Sequence, residues 1–485
     1  MKRVLFFLCV SLFFVSCKDD VKGPSEDDKM SMYVNEWLYQ NMSELYYWNT
    51  TLPAYASSSA NPSDYFVSLK NKADRFSAIF ASYNDILNEL NGVSTADIGF
   101  DFQLYKENSY NNNVLGIVEY VKHGTPAEKQ GIKRGDIFRR INGTQITILN
   151  YKEVINYLYD KSASSTITFA LVANNSLYDQ TAVTVNKAAN YQEDPVYMDT
   201  VYTVQNKKVG YLVYNFFTND PGDGSMKYDL ELNSVFQNFK TQNVSELIID
   251  LRYNHGGMMS SAVHLSSMLV PNLTTNKVFA YTEFNQNYTD YFNSSSFKSQ
   301  YSENPFVTNF STTIDAASPS TVKTPIQNIG NNLQRIFFLV GNGTASASEM
   351  VINGLSPFLP VVLIGDTTVG KNVGSTLVND TKNTNNQWAF MPIILKYFNK
   401  DHLSDFTQGF VPNFLVQDDY SNQLGNTNED LLGKAISQIS GLQGAPKPAR
   451  VKRALLKSSL DFKLNTNGLV VNNKFMDSYS NRSRK

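Results

Sequence analysis

The sequence predicts an α/β protein built from three successive units, and three observations carry that reading. Apolar residues recur at three- and four-residue intervals near the N-terminus, over residues 30–90. From about residue 92 the pattern changes to short strands punctuated by glycine turns. Between residues 195 and 445, apolar strand runs alternate with helical segments, the pattern of an α/β core. At 485 residues the chain is long enough for two or three domains, and 42% hydrophobic with 18% charged residues is the composition of a folded protein. The formal charge of −2 provides no general attraction to nucleic acid or to an anionic membrane.

The chain opens with "MKRVLFFLCVSLFFVSCKDD". Lys2 and Arg3 precede an apolar run too short for a permanent membrane span, so residues 1–17 read as a removable secretory signal. Phe14-Val15-Ser16-Cys17 resembles a bacterial lipobox, which implies lipidation of Cys17 and an outer-membrane lipoprotein facing the periplasm or the cell surface. An ordinary signal with an incidental cysteine is the alternative. Lys18-Asp19-Asp20 resembles a surface-export tag at the start of a polar tether, residues 18–29. Cys9 and Cys17 are the two cysteines of the chain; with one cleaved off and the other acylated, no disulfide or cysteine metal site is expected. The four histidines (His123, His255, His264, His402) show no pair at helical ligand spacing, so neither metal nor cofactor is expected.

In the first unit, Trp37, Leu38, Met42, Leu45 and Tyr46 form one helical stripe. The segment "DYFVSLKNKADRFSAIF" is expected to continue as helix after the break "ASSSANPSD". In the second unit, residues 91–190, "GTPAEKQGIKRGDIFRRINGTQI" (124–146) combines a small helix, glycines at 131 and 135 and an Asn142-Gly143 turn. This segment resembles the middle of a PDZ domain. Asp97-Ile98-Gly99-Phe100 then resembles the loop whose N–H groups, those of Ile98, Gly99 and Phe100, capture a peptide carboxylate while the peptide adds a strand. A β-rich spacer is the structural alternative. Residues 446–485 begin basic and read as a solvated or flexible tail.

The third unit holds the chemistry. "RIFFLVGNGTASASEMVINGL" (335–355) reads as strand, turn and helix, with Thr344, Ser346 and Ser348 near a helix N-terminus. Unpaired N–H groups there suit an oxyanion, although Ser and Thr are also ordinary helix caps. "LIIDLRYNHGG" (247–257) is a buried strand ending in Gly256-Gly257, whose backbone could approach a ligand closely, while Asp250 and Arg252 read as loop tethers. "VVLIGDTTVGKNVGS" (361–375) places Lys371 between valines. A lysine can take a proton from serine only when neutral, which requires burial that lowers its pKa.

Ser346-Ala347-Ser348-Glu349, the lysine 25 residues on, the "DLR-x-N-x-GG" strand end, the preceding PDZ-like unit and the later "DFTQGFVPNFLVQDD" are similar to the C-terminal processing, or tail-specific, proteases. The resemblance covers roughly residues 92–440. It implies a ClpP/crotonase-like protease domain and an ATP-independent serine endopeptidase with Ser346 as nucleophile and Lys371 as general base. Oxyanion donors would be the N–H of Ala347 and of Gly256 or Gly257. Protein or peptide substrates are implied, guided or gated by the PDZ unit, and homo-oligomerisation is compatible with the family. Ser375 stands where the family often has a lysine-orienting Gln, and His255 where Pro or Gly is more usual. His255 reads either as a substitute base or as a loop residue facing solvent.

Two rivals are weighed against this. Gly365, Gly370 and Lys371 approximate a phosphate-binding loop, but that loop needs Ser or Thr after the lysine and then a helix. Here Asn372 and the strand-like "VGSTLVND" follow. The other rival is a non-catalytic peptide-binding scaffold that keeps the protease fold.

Overall fold

A computed structural model of the chain describes residues 25–107, 111–173, 176–315 and 323–441, with the short strands 459–460 and 469–470. The signal, Cys17 and most of the tether lie outside the described residues.

Helix α1 (Glu26–Leu45) begins inside the expected tether because Ser25 and Asp28 cap it reciprocally. Its stripe of Val34, Trp37, Leu38 and Met42 packs on α2 (Pro62–Leu69) through Phe66 and Leu69. The helical expectation then fails for the second half of residues 64–80. The chain turns at Asn71–Ser77, where the Asp74 carboxylate accepts from the N–H groups of Phe76 and Ser77 at 2.9 and 2.8 Å. It continues as strand β1 (Ala78–Phe80). A local carboxylate satisfying backbone donors competes with helix, and the strand finds its partner far along the chain. α3 (Tyr83–Leu90) closes this region.

Strand β2 (Val93–Asp97) leads into the PDZ-like unit: β3 (Phe100–Lys106), β4 (Val114–Val121), α4 (Pro126–Lys129), β5 (Ile137–Ile141), α5 (Tyr151–Tyr159) and β6 (Ser164–Ala173). Strands β3, β4, β5 and β6 are neighbours in that order, all antiparallel. Asn142 and Gly143 both take positive φ (50° and 79°), as a tight hairpin turn requires.

The third unit is a six-stranded sheet covered on both faces. Its strands in spatial order are β7 (Val196–Val204), β8 (Lys207–Tyr214), β9 (Glu246–Asp250), β10 (Ile336–Val340), β11 (Val361–Gly365) and β12 (Phe414–Leu415). From β8 to β12 every pairing is parallel. Alternate residues face opposite ways: Leu212, Leu247, Ile249, Phe338 and Val340 join a core under the flanking helices Lys227–Thr241 and Met259–Leu269. Tyr211, Ile248, Phe337 and Leu339 face the helix Asp430–Ser440. Burial on both faces explains why these strands read as continuous apolar runs.

A second sheet carries the short strand Val373–Ser375 beside Ile393–Phe398. Strand β1 pairs with Ala389–Met391, so the first unit is joined to the third by backbone hydrogen bonds. Val373, Phe390 and Ile393 share one core with Trp37, Leu38 and Phe66. The C-terminal segment shows two short pairings: Ser459–Leu460 beside Tyr105 and Leu104 of β3, and Leu469–Val470 beside Gly374 and Ser375. These four residues are therefore strand-paired.

Candidate active site

The end of β10 turns through Gly341–Ala345 into the helix Ala347–Leu355, and Ser346 is its N-cap. Ser346 has φ 60° and ψ −109°, a conformation unfavourable for any residue with a side chain. Three contacts hold it there. Its N–H donates to Glu349 Oε2 at 2.9 Å, and its carbonyl accepts from the Met350 N–H at 2.7 Å. The Tyr397 hydroxyl lies 3.1 Å from the same carbonyl. Of the other two candidate nucleophiles, Thr344 donates its hydroxyl to the Leu251 carbonyl (2.7 Å) and Ser348 to that of Asn254 (3.2 Å). Both are loop fasteners.

Glu349 does more than cap the helix. Its Oε2 also accepts from the Lys371 N–H at 2.7 Å, while Oε1 accepts from the Gly370 N–H (2.7 Å) and the Thr368 hydroxyl (2.6 Å). One carboxylate oxygen thus holds the backbone nitrogens of Ser346 and Lys371 together. On the carbonyl side, Tyr397 Oη is 2.9 Å from the Lys371 oxygen as well as near that of Ser346. Serine and lysine loops are clamped at both ends of their peptide units. Burial keeps the Glu349 pKa above the ordinary carboxylate value, although the hydrogen bonds from Thr368, Lys371, Ser346 and Gly370 work against that rise.

Lys371 is 4% exposed. Burial lowers its pKa to about 8, against the charges of Asp74 and Glu349, which favour the ammonium. The Phe76 ring centroid is 5.3 Å from Nζ. The strand Val373–Ser375, not a helix, follows the lysine, so the phosphate-loop geometry does not form. Ser375 is buried on that strand, paired to Ile393.

The glycine loop lies directly against the nucleophile. A Cβ on Gly256 would meet Ser346 Cβ at 2.9 Å and the Ala347 nitrogen at 3.1 Å, and Gly256 has φ 105°. Asn254 fastens this loop: its Oδ1 accepts from the Gly256 N–H at 2.8 Å, its Nδ2 donates to the Tyr214 carbonyl, and its own carbonyl accepts from the Ala345 N–H. The Gly256 donor is therefore occupied. Among the described residues the N–H groups of Gly257 and Ala347 have no protein acceptor. His255 is half-buried rather than solvent-facing; its Nδ1 donates to the Gly343 carbonyl at 2.6 Å.

Upstream of the glycines, Arg252 forks Asp250 and Glu429 through contacts of 2.7–3.1 Å, all three nearly inaccessible. Arg134 of the PDZ-like unit reaches the same network, contacting Tyr253 and Asp418 and donating to the Glu119 carbonyl at 2.8 Å. The loop that ends in Gly257 is thereby tied to the PDZ-like unit.

A cavity of about 390 Å³ extends from Gly256 and Gly257 to the loop Asp97–Phe100, past Lys122, Tyr159 and Glu193. Gly99 has φ +89°, and its N–H donates to Asp97 Oδ1 at 2.7 Å. The side chains of Ile98 and Phe100 are core residues of the unit. Lys122 bridges Asp97 and Glu193 at 2.8 and 2.7 Å; burial opposes its charge, but the two carboxylates outweigh burial and raise its pKa. The loop Asp97–Phe100, which resembles a carboxylate-binding loop in sequence, therefore already holds a carboxylate of its own chain.

The description "Peptidase family S41" matches residues 208–416, and "Peptidase S41 N-terminal domain" matches residues 33–78, together just over half of the chain. The chain belongs to peptidase family S41. A PDZ domain match covers residues 117–170 of this S41 chain. The carboxy-terminal processing protease CtpA of Bacillus subtilis (strain 168) is 25% identical over 264 residues, covering 54% of this chain and 45% of that protein. A CtpA-like serine protease of Staphylococcus saprophyticus is 20% identical over 363 residues, covering 73% of this chain and 60% of its own. The chain thus spans about half the length of the curated relatives it matches. The crystal structure of an S41-type protein from Bacteroides fragilis NCTC 9343 superimposes with a TM-score of 0.66 at 25% identity, covering 84% of this chain and 98% of that one.

The serine, the lysine and the glycine loop singled out by the sequence lie together in the fold. The bridging role of Glu349 is not expected from the sequence, although Ser-x-x-Glu is a helix-start signal. Asp74, Phe76 and Tyr397 carried no local signal.

Proposed function

We propose that the chain is an ATP-independent serine endopeptidase acting on extracytoplasmic proteins or peptides, anchored to the outer membrane through lipidated Cys17. The observation that carries this reading is the shared carboxylate and hydroxyl that clamp Ser346 to Lys371, with the lysine buried enough to be neutral near pH 8. In the reaction, neutral Lys371 accepts the Ser346 hydroxyl proton as Oγ bonds to the substrate carbonyl carbon. The Ala347 and Gly257 N–H groups, both without a protein acceptor, are the oxyanion donors that fit. The Lys371 ammonium then returns the proton to the leaving amine as the C–N bond breaks, and water hydrolyses the acyl-enzyme by the same proton route. Ser375, buried on the strand that follows the lysine loop, is proposed to orient the amine.

The PDZ-like unit is proposed to guide or gate substrate. In support, Ser346 is inaccessible as the chain stands, and the cavity joins the PDZ-like loop to the glycine loop. A C-terminal carboxylate would enter only by displacing Asp97 from Gly99, so Asp97→Ala and substrate identity jointly report on that role.

The reading is tested with the full chain, casein as substrate, and a fluorophosphonate reagent. Expected are cleavage without ATP, loss of cleavage on treatment, and a single adduct mapped to Ser346. An adduct on Thr344 or Ser348 would contradict the assignment. Absence of both cleavage and adduct would favour a peptide-binding scaffold.

A further inference from the structure

The lysine pocket is not made by the protease unit alone. The turn Asn71–Ser77, more than 290 residues before the lysine, forms one of its walls. Arg75 donates from Nη1 to the Thr407 carbonyl (2.9 Å) and from Nη2 to the Val369 carbonyl (3.1 Å), two residues before Lys371. The Phe76 ring centroid is 4.8 Å from the Arg75 guanidinium carbon and 5.3 Å from Lys371 Nζ. Ser77 Oγ accepts from the Ile393 N–H at 2.8 Å, and Lys70 Nζ donates to the Ser77 carbonyl at 2.9 Å. Asp74 shapes the turn from beneath through the N–H groups of Phe76 and Ser77 and the Tyr46 hydroxyl. Asp74, Arg75, Phe76 and Ser77 thus each either fasten the turn or face the lysine loop.

We propose that Asp74–Ser77 is a positioning element for Lys371: Arg75 pins the lysine loop while Phe76 covers the amine and keeps water from it. The N-terminal unit then contributes to catalysis without supplying a reacting group. This inference rests on the reading of Lys371 as the base. Two effects of Phe76 oppose each other. Its ring face attracts an ammonium, whereas exclusion of water disfavours the ammonium. Water hydrates an ammonium better than one ring face does, so exclusion wins. The charged groups acting on the amine are Asp74 from the turn and Glu349 from the helix after Ser346. Neither is altered by a change of the Phe76 side chain, since Asp74 contacts that residue through its backbone N–H.

The test reads the amine directly. Lys371 acetylation by trace acetic anhydride is followed across pH by mass spectrometry on the full chain, for wild type, Phe76→Leu, Phe76→Ala and Arg75→Ala. The wild-type amine should titrate near pH 8. In Phe76→Ala the midpoint should rise by about one pH unit toward the ordinary lysine value, and the acid limb of kcat/KM should rise with it. Phe76→Leu, which still excludes water, should stay at or below wild type. Arg75→Ala should shift upward by less, with a fall in kcat and little change in KM. If Phe76→Ala does not fold, Phe76→Val supplies the same comparison, with thermal melting as the control. Midpoints unchanged in both alanine variants, or raised equally by Leu and Ala, would overturn the proposal. Full activity in Lys371→Ala would instead defeat the underlying reading of the base, while the labelling would still report on the pocket.

Discussion

In the Lys371→Met variant, peptide hydrolysis falls by about three orders of magnitude or more, while the folded state becomes more stable at pH 7 by about 3 kcal/mol. The two changes have one cause. The lysine pKa is about 8 in the folded chain and 10.5 when unperturbed, so below pH 8 the fold carries a buried ammonium that water would solvate better. Methionine fills nearly the same space without a charge. Between pH 8 and 10.5 the unfolded chain retains the proton and the folded chain does not, so wild-type stability rises relative to the variant. Above 10.5 both forms are neutral and the gap closes. Urea unfolding of both proteins at pH 7 and pH 10.5 checks this, since other titrating groups cancel in the difference. A methionine variant less stable than wild type at pH 7 would mean that the ammonium is well solvated where it stands.

The second large effect is expected at Glu349. Alanine there removes the acceptor for three backbone N–H groups and the Thr368 hydroxyl, all buried. Stranded donors cost about 1–3 kcal/mol each, so destabilisation of about 4 kcal/mol or more is expected, with hydrolysis reduced at least about a hundredfold. Glutamine is the more informative change. It keeps the size but points an amide N–H2 at donors, which loosens the clamp between Ser346 and Lys371. It also removes a negative charge that favours the ammonium, so what activity remains should show its acid limb below that of wild type. A Glu349→Gln profile displaced upward would contradict the assignment of Glu349 as a charge acting on the lysine.

Much of this architecture was readable in the sequence because it is written locally. Strand, turn and helix around Ser346, the glycine pair at 256–257 and the Asn142-Gly143 hairpin each depend on residues within a few positions of one another. The buried strands announced themselves because both faces of the main sheet are covered. What could not be read depends on partners distant in the chain. Periodicity in "DYFVSLKNKADRFSAIF" suggested one long helix, since Phe66, Leu69, Phe76 and Ile79 are all apolar. The turn forms instead because Asp74 satisfies backbone donors locally and β1 finds Ala389–Met391 to pair with. His255 reads from sequence as a solvent-facing residue or a substitute base; the structure half-buries it, with Nδ1 donating to the Gly343 carbonyl. Gly256 and Gly257 are interchangeable as oxyanion donors in the sequence, whereas in the fold Asn254 Oδ1 accepts from the Gly256 N–H.

The central claim is that Ser346 and Lys371 act as a nucleophile and its base. The most direct test is the rate of Ser346 acylation by a fluorophosphonate as a function of pH, in wild type and in Lys371→Ala. The account predicts a wild-type rate that climbs through a midpoint near pH 8 and levels off, and a Lys371→Ala rate slower by about 10² or more across that range. Equal acylation rates in the two proteins, or a wild-type rate indifferent to pH between 6 and 10, would contradict it.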